Sequence, residues 1–273
     1  RKLGRNEAFA AVFALHPVLL LESAHGGHVD AAGIFLALLA FERALSKRWF
    51  GSFAAAVLMG WVKLWPFAIM PAMIRRRGPL RTLGLTGTVV LATLGVFYGE
   101  RSSLWTYVRS WEFHGPLAWS LARAFDGYAA RGILIAAFLI AAIATYARDR
   151  HRRAPDAGTV FALILAYLGC SPTVYPWYAM WLAPFAILCR SVSGLSFTLL
   201  TVVSYAVLER FDRTGIWRED PRLMLVSYGV PLAVLTFETL RRKGRATSAP
   251  VNPSMGLEIQ NSDKKSLETH IQK

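Results

Sequence analysis

Apolar residues in this chain run in long charge-free stretches, and short arginine clusters separate them. The stretches cover residues 8–21, 31–41, 49–62 continued by 64–74, 82–99, 132–147, 157–189, 191–208 and 223–237. A helix needs roughly 20 mostly apolar residues to cross about 30 Å of hydrocarbon. The stretch 157–189 is too long for one crossing, and Ser171-Pro172-Thr173-Val174-Tyr175-Pro176 divides it, because closely spaced prolines cannot sit inside regular helix. The pattern predicts an all-α fold, a polytopic transmembrane helical bundle of eight spans plus a re-entrant or broken segment at 49–74.

The broken segment follows from the cations. Arg1, Lys2 and Arg5 precede the first stretch, Lys47 and Arg48 follow the second, and Arg75, Arg76, Arg77 and Arg81 follow 49–74. Arg148, Arg150, Arg152 and Arg153 follow 132–147, and Arg241, Arg242, Lys243 and Arg245 follow the last stretch. All five clusters fall on the cytoplasmic side under the positive-inside rule only if 49–74 begins and ends on the same side. Lys63 and Pro66 lie at its middle, where a turn at membrane depth would line a protein cavity. Residues 22–30, 100–131, 171–176 and 209–222 then face the non-cytoplasmic side, and both termini are cytoplasmic. Arginines within 100–131 and 209–222 run against that rule and require loops packed on the interface. The expected organisation is a transmembrane domain over 1–245 and a polar, disordered cytoplasmic tail over 246–273.

Composition agrees: 54% of residues are hydrophobic and the formal net charge is +14. In a soluble chain that charge would suggest a nucleic-acid partner. Beside membrane spans it reads as loop anchoring and contact with anionic lipid, so membrane lipid is the expected partner and nucleic acid is not. Trp49, Trp105, Trp111, Trp119, Trp177 and Trp181 lie near stretch ends, as in an aromatic belt. Cys170 and Cys189 both sit inside apolar stretches and suggest neither a disulfide framework nor a metal site.

Chemistry concentrates at a few places. Glu22-Ser23-Ala24-His25-Gly26-Gly27-His28-Val29-Asp30 joins the first two stretches and sets two carboxylates and two imidazoles at a membrane boundary. Ionisable groups there require a partner or a wet cavity, which favours a functional site. Otherwise Asp30 is an ordinary helix cap in a polar hairpin. Lys63, beside Trp65 and Pro66, needs an anionic partner, a cavity or a snorkelling route; a lipid phosphate suits it. Trp111-Glu112-Phe113-His114-Gly115-Pro116 mixes aromatic faces with an acid and an imidazole, as sugar sites do, or lies on the interface. Tyr175, in the turn before an aromatic-rich span, walls a lipid or sugar groove or belongs to the belt. His25, His28 and Asp30 are metal-ligating types, yet no metal centre is expected, although a divalent ion is compatible with them. No phosphate-cradling glycine loop, nucleophile elbow, HExxH or CxxC motif occurs, so nucleotide-dependent chemistry finds no support.

His16-Pro17-Val18-Leu19-Leu20-Leu21-Glu22 followed by Gly27-His28-Val29-Asp30-Ala31, then Gly60 to Pro66 around Lys63, then Ser171-Pro172 through Trp181 and Pro184, together resemble the multispanning GT-C-type glycosyltransferases. The resemblance covers roughly residues 6–190 and lies closest to glycosyltransferase family 87 and the polyprenol-phosphate-mannose-dependent mannosyltransferases. It implies a hexose, mannose among the candidates, moved from a polyprenyl-phosphate carrier to a glycan or glycolipid acceptor on the outer face of a bacterial plasma membrane. No cofactor is implied beyond that lipid-linked donor. Asp30 matches the family's GH-x-D aspartate and His16 stands where the family often has Asn. The acidic first outer loop that commonly holds the base is not visible, so the chain is expected to lack the N-terminal part of the pattern. The expected site is Asp30 and His28 for catalysis, with Glu22, His25, Lys63, Glu112, His114 and Tyr175 binding substrate. A transporter or lipid flippase, and a catalytically incomplete GT-C fragment, are the competing expectations.

Overall fold

The computed structural model describes residues 8–74, 79–96, 106, 111–152 and 154–247. The arginine clusters at 1–5 and 75–77, most of the 100–110 loop and the tail from 248 onward lie outside the described residues. The chain forms two compact units, Arg1–Leu235 and Thr236–Lys273. Among the described residues the structure is all-α, with isolated bridges at Phe113, His114 and Thr173 but no strands.

Helix α1 covers Ala8–Ala14, and α2 covers Pro17–His25 at an angle of 45° to it. Proline at the first position of α2 breaks the ladder with α1. The second half of α2 widens into a π-turn over Leu20–His25, a distortion that often marks a functional position. Gly27 follows at φ +65°, a left-handed conformation natural to glycine, and so reverses the chain into α3, Asp30–Leu45. Helix α4, Trp49–Val62, lies antiparallel to α3. Ala37, Ala40 and Ala44 on one and Ala55 and Ala56 on the other are buried, and such small residues let two backbones approach closely.

The segment after α4 doubles back. Lys63 is extended at φ −157°, ψ 138°, and ends the helix. A 3-10 turn over Trp65–Ala68 and helix α5, Met70–Met73, then descend beside α4, until the Ser52 hydroxyl meets the Met73 carbonyl at 3.5 Å. Gly60 makes this possible, because a Cβ there would lie 2.2 Å from the Phe67 ring. Lys63 therefore sits at the tip of a helical hairpin.

Then come α6, Pro79–Val96, α7, Pro116–Leu121, and α8, Gly127–Arg148. They are followed by α9, Ala157–Cys170, α10, Pro176–Cys189, α11, Val192–Thr214, and α12, Pro221–Arg241. Asp126, Asp156 and Asp220 cap α8, α9 and α12 through backbone N–H groups. Among the described residues three helices, α8, α11 and α12, are long and apolar enough to cross a membrane, or four spans if α1 and α2 form one bent crossing. Four shorter apolar helices, in α4, α6, α9 and α10, fall short of that length, so among the described residues the eight expected spans are matched by three or four. Leu91, Ile140, Ile143 and Leu232 are among many large apolar side chains left exposed. Such a surface suits hydrocarbon better than water. The core lies around α10, where Met180, Trp181, Leu182 and Phe185 are all fully buried.

Candidate functional site

Asp30 is the first residue of α3, but its carboxylate caps nothing. This separates it from the three capping aspartates. Its oxygens turn to the tip of the α4–α5 hairpin, where Lys63 Nζ donates to Oδ1 at 2.8 Å and to Oδ2 at 3.0 Å. Trp181 Nε1–H of α10 donates to Oδ1 at 2.6 Å. Asp30 is 2% exposed and the Lys63 side chain 21%. The ammonium also lies 3.6 Å above the Tyr178 ring, a cation–π contact. Trp65, stacked at 4.3 Å on Tyr167 and edge-on to Trp181 at 5.0 Å, braces the indole from the return limb of the hairpin. Gly33, one turn into α3, leaves the space for that indole, since a Cβ there would lie 2.5 Å from Trp181.

Beside this pair, the π-turn of α2 presents Glu22, also 2% exposed. Tyr205 of α11 donates its hydroxyl to Glu22 Oε1 at 2.7 Å, and His28 Nε2 lies 3.4 Å from Oε2. The His28 imidazole stacks on Trp177 at 4.0 Å. From there a row of parallel rings continues through Tyr175, 4.1 Å from Trp177, to Phe113, 4.2 Å further.

That row decides what the aromatic residues can do. Both faces of Tyr175 are covered, by Trp177 and Phe113, so no sugar ring can stack on it. Its hydroxyl accepts from Trp111 Nε1–H at 2.7 Å. Tyr175 is thus a rigid strut rather than a binding wall. His114 is likewise packed away. Its backbone is left-handed at φ 54°, Nε2 meets Ser227 Oγ at 2.5 Å, its N–H donates to Glu219 at 2.8 Å, and its carbonyl accepts from Tyr228. Burial lowers the His114 imidazole from its ordinary value to about 4 and raises the Glu219 carboxyl. Glu112 is more open and pairs with Arg131 at 3.1 Å. His25 is exposed at the end of α2. Among the described residues no group of three or more His, Cys, Asp or Glu is placed to hold a metal ion.

The structure thus joins Asp30 to Lys63 and Glu22 to His28, and locks His114 and Tyr175 into the frame around them. Segments 22–30, 111–115, 171–177 and 217–219 meet there: Phe113 exchanges backbone hydrogen bonds with Pro172 and Val174, and a Cβ on Gly115 would lie 2.6 Å from the Ser171 carbonyl. Sequence reasoning missed Tyr178 and Tyr205, the latter a hydroxyl-bearing ring inside an aliphatic stretch, and assigned Trp181 to the aromatic belt. Glu219 and Ser227 carried no signal at all.

No protein-family model, curated protein or solved structure matches the chain. Among the described residues, fold and site define a class: an all-α protein with helices long and apolar enough to cross a membrane, built around a buried carboxylate–ammonium pair at a hairpin tip. The acid–base cluster beside that pair is its distinguishing chemistry.

Proposed function

We propose that this chain is a GT-C-type membrane glycosyltransferase that moves a hexose from a polyprenyl-phosphate donor to a glycan or glycolipid acceptor on the non-cytoplasmic face of a bacterial plasma membrane. The observation that carries the reading is the contact between Lys63 and Asp30. A donor confined to the bilayer brings its phosphate to membrane depth, where an ammonium is the natural counter-ion. In the free protein Lys63 and Asp30 neutralise each other. An arriving phosphate competes for Lys63 and leaves Asp30 with the Trp181 N–H. Asp30 then takes the proton of the acceptor hydroxyl as its oxygen bonds to the anomeric carbon. The bond from that carbon to the phosphate oxygen breaks, and the phosphate leaves with the electron pair beside Lys63. Glu22 and Tyr205 hold His28 at the rim, within reach of sugar hydroxyls.

The test is sugar transfer in membrane fractions, with radiolabelled polyprenyl-phosphate hexose set against the nucleotide sugar. Transfer from the lipid donor, abolished in Asp30→Asn and Lys63→Ala with insertion intact, supports the reading. Undiminished transfer in both variants, or transfer from the nucleotide sugar alone, overturns it. A second reading, a transporter, draws on the same hairpin, since broken helices bearing charge also line transport sites. Substrate flux into proteoliposomes without glycosidic product distinguishes it.

A further inference from the structure

Lys63 by itself meets the Asp30 charge and both of its oxygens, at 2.8 and 3.0 Å. A third donor nevertheless reaches the same carboxylate. Trp181 Nε1–H lies 2.6 Å from Oδ1, so Oδ1 accepts twice and Oδ2 once. The indole is held for this contact. It is fully buried, and it leaves α10 where the helix tightens into a 3-10 turn over Met180–Leu182, a mid-helix irregularity that often marks a functional hinge or local strain. Gly33 of α3 and Trp65 of the hairpin close on it and leave the ring little room to turn. Since the ammonium already neutralises Asp30 in the free protein, the indole N–H matters most once that pair parts.

We propose that Trp181 is a positioning residue: it keeps Asp30 ionised, and presents Oδ2 as the atom that takes the acceptor proton, once Lys63 has turned to the donor phosphate. The use of this contact in sugar transfer rests on the glycosyltransferase reading; its hold on the Asp30 charge does not. Asp30 is 2% exposed, and the Glu22 carboxylate stands near enough for its charge to act on it. Burial and a neighbouring negative charge both favour the protonated acid when the ammonium moves off, and a protonated Asp30 is no base. The indole opposes this, because a hydrogen bond to an ionised oxygen stabilises the ionised form. It also makes the two oxygens unequal. Oδ1 keeps the indole N–H and is the poorer proton acceptor, while Oδ2 has lost the one donor it had. As the acceptor O–H bond breaks, its proton goes to Oδ2 and its electron pair forms the bond to the anomeric carbon, from which the phosphate departs with the other pair. Trp181 acts in this step through Asp30 alone.

The isostere 3-benzothienylalanine sets sulfur in place of the indole N–H and keeps the shape of the ring, so it removes the donor without opening a cavity. It replaces Trp181 in the full chain in dodecylmaltoside. The same replacement at Trp61, whose N–H serves Thr93 instead, is the control. A Lys63→Met background stands for the state in which the ammonium has moved off, and infrared difference spectra against the matching Asp30→Asn variant read the Asp30 carboxyl through a pH titration. At a given pH the ratio of protonated to ionised Asp30 is expected to rise about 30-fold for the replacement at 181 and to stay within about twofold for that at 61. With Lys63 in place, the replacement at 181 is expected to lower kcat for transfer from polyprenyl-phosphate hexose about 30-fold and to leave the donor KM within about twofold. An unchanged protonation ratio overturns the proposal, and so does an unchanged kcat in a parent that transfers sugar. A parent that transfers none overturns the glycosyltransferase reading instead, and the protonation ratio then decides by itself whether Trp181 governs Asp30.

Discussion

Removing Lys63 tests the energetic centre of the molecule. In Lys63→Met the side chain keeps its bulk but loses its charge. Asp30 stays 2% exposed and keeps only the Trp181 N–H, at 2.6 Å, of the three hydrogen bonds it accepts. Breaking a buried ion pair from one side costs about 3–5 kcal/mol, and the surviving hydrogen bond places this case near 3 kcal/mol. Asp30→Asn is milder. The ammonium is 21% exposed and lies 3.6 Å from the Tyr178 ring, so water and the cation–π contact support it. The expected loss is about 2 kcal/mol. The double variant leaves no buried charge unpaired and is expected to be about as stable as the worse single variant, not their sum, which gives a coupling of about 2 kcal/mol. Unfolding of purified protein in dodecylmaltoside by SDS titration, followed by far-ultraviolet circular dichroism, measures all three. A loss near 3 kcal/mol corresponds to a fall in Tm of roughly 6–12 °C for a chain of this size. Additive losses, or single variants within about 0.5 kcal/mol of the parent, would refute the reasoning that the pair is buried and mutually dependent.

Two further perturbations probe the frame. The His114 imidazole binds its proton less readily in the folded chain, at about 4 against 6.5, so stability is full above the unfolded value and declines as pH falls from 6.5 toward 4. The whole effect amounts to about 3 kcal/mol. Glu219 acts in the opposite sense, since burial raises its carboxyl against the pull of the His114 N–H, and its stability contribution falls as pH rises above 4.5. His114→Asn, which tolerates the left-handed backbone, isolates the histidine part: the loss of Tm between pH 6.5 and 4 should shrink, and an unchanged pH profile would sink the assignment. Gly33→Ala sets a Cβ 2.5 Å from the Trp181 indole, and the ring must move and slacken its bond to Asp30. A loss of about 1–3 kcal/mol and altered tryptophan emission are expected, and a variant indistinguishable in both contradicts the close approach.

The sequence by itself determined that this chain is helical and that its outer surface suits hydrocarbon, because hydropathy is a sum over local residues and needs no partners. It also marked the ionisable residues out of place, Glu22, Asp30 and Lys63, since charge inside an apolar stretch is costly wherever the stretch folds. The prolines at 172 and 176, and the lysine and proline at 63 and 66, announced breaks for the same local reason. Only the tertiary structure decided what those residues face. Asp30 and Lys63 are 33 positions apart and Glu22 and Tyr205 are 183 apart, and no periodicity encodes such pairs. The need for glycine at 33 and 60 comes only from the indole and the phenyl ring that press on them in the packed structure. Tyr175 and His114 looked like ligands because aromatic and imidazole groups serve both binding and packing. Their choice rests on whether neighbouring rings and hydroxyls cover them, which only the packed helices supply.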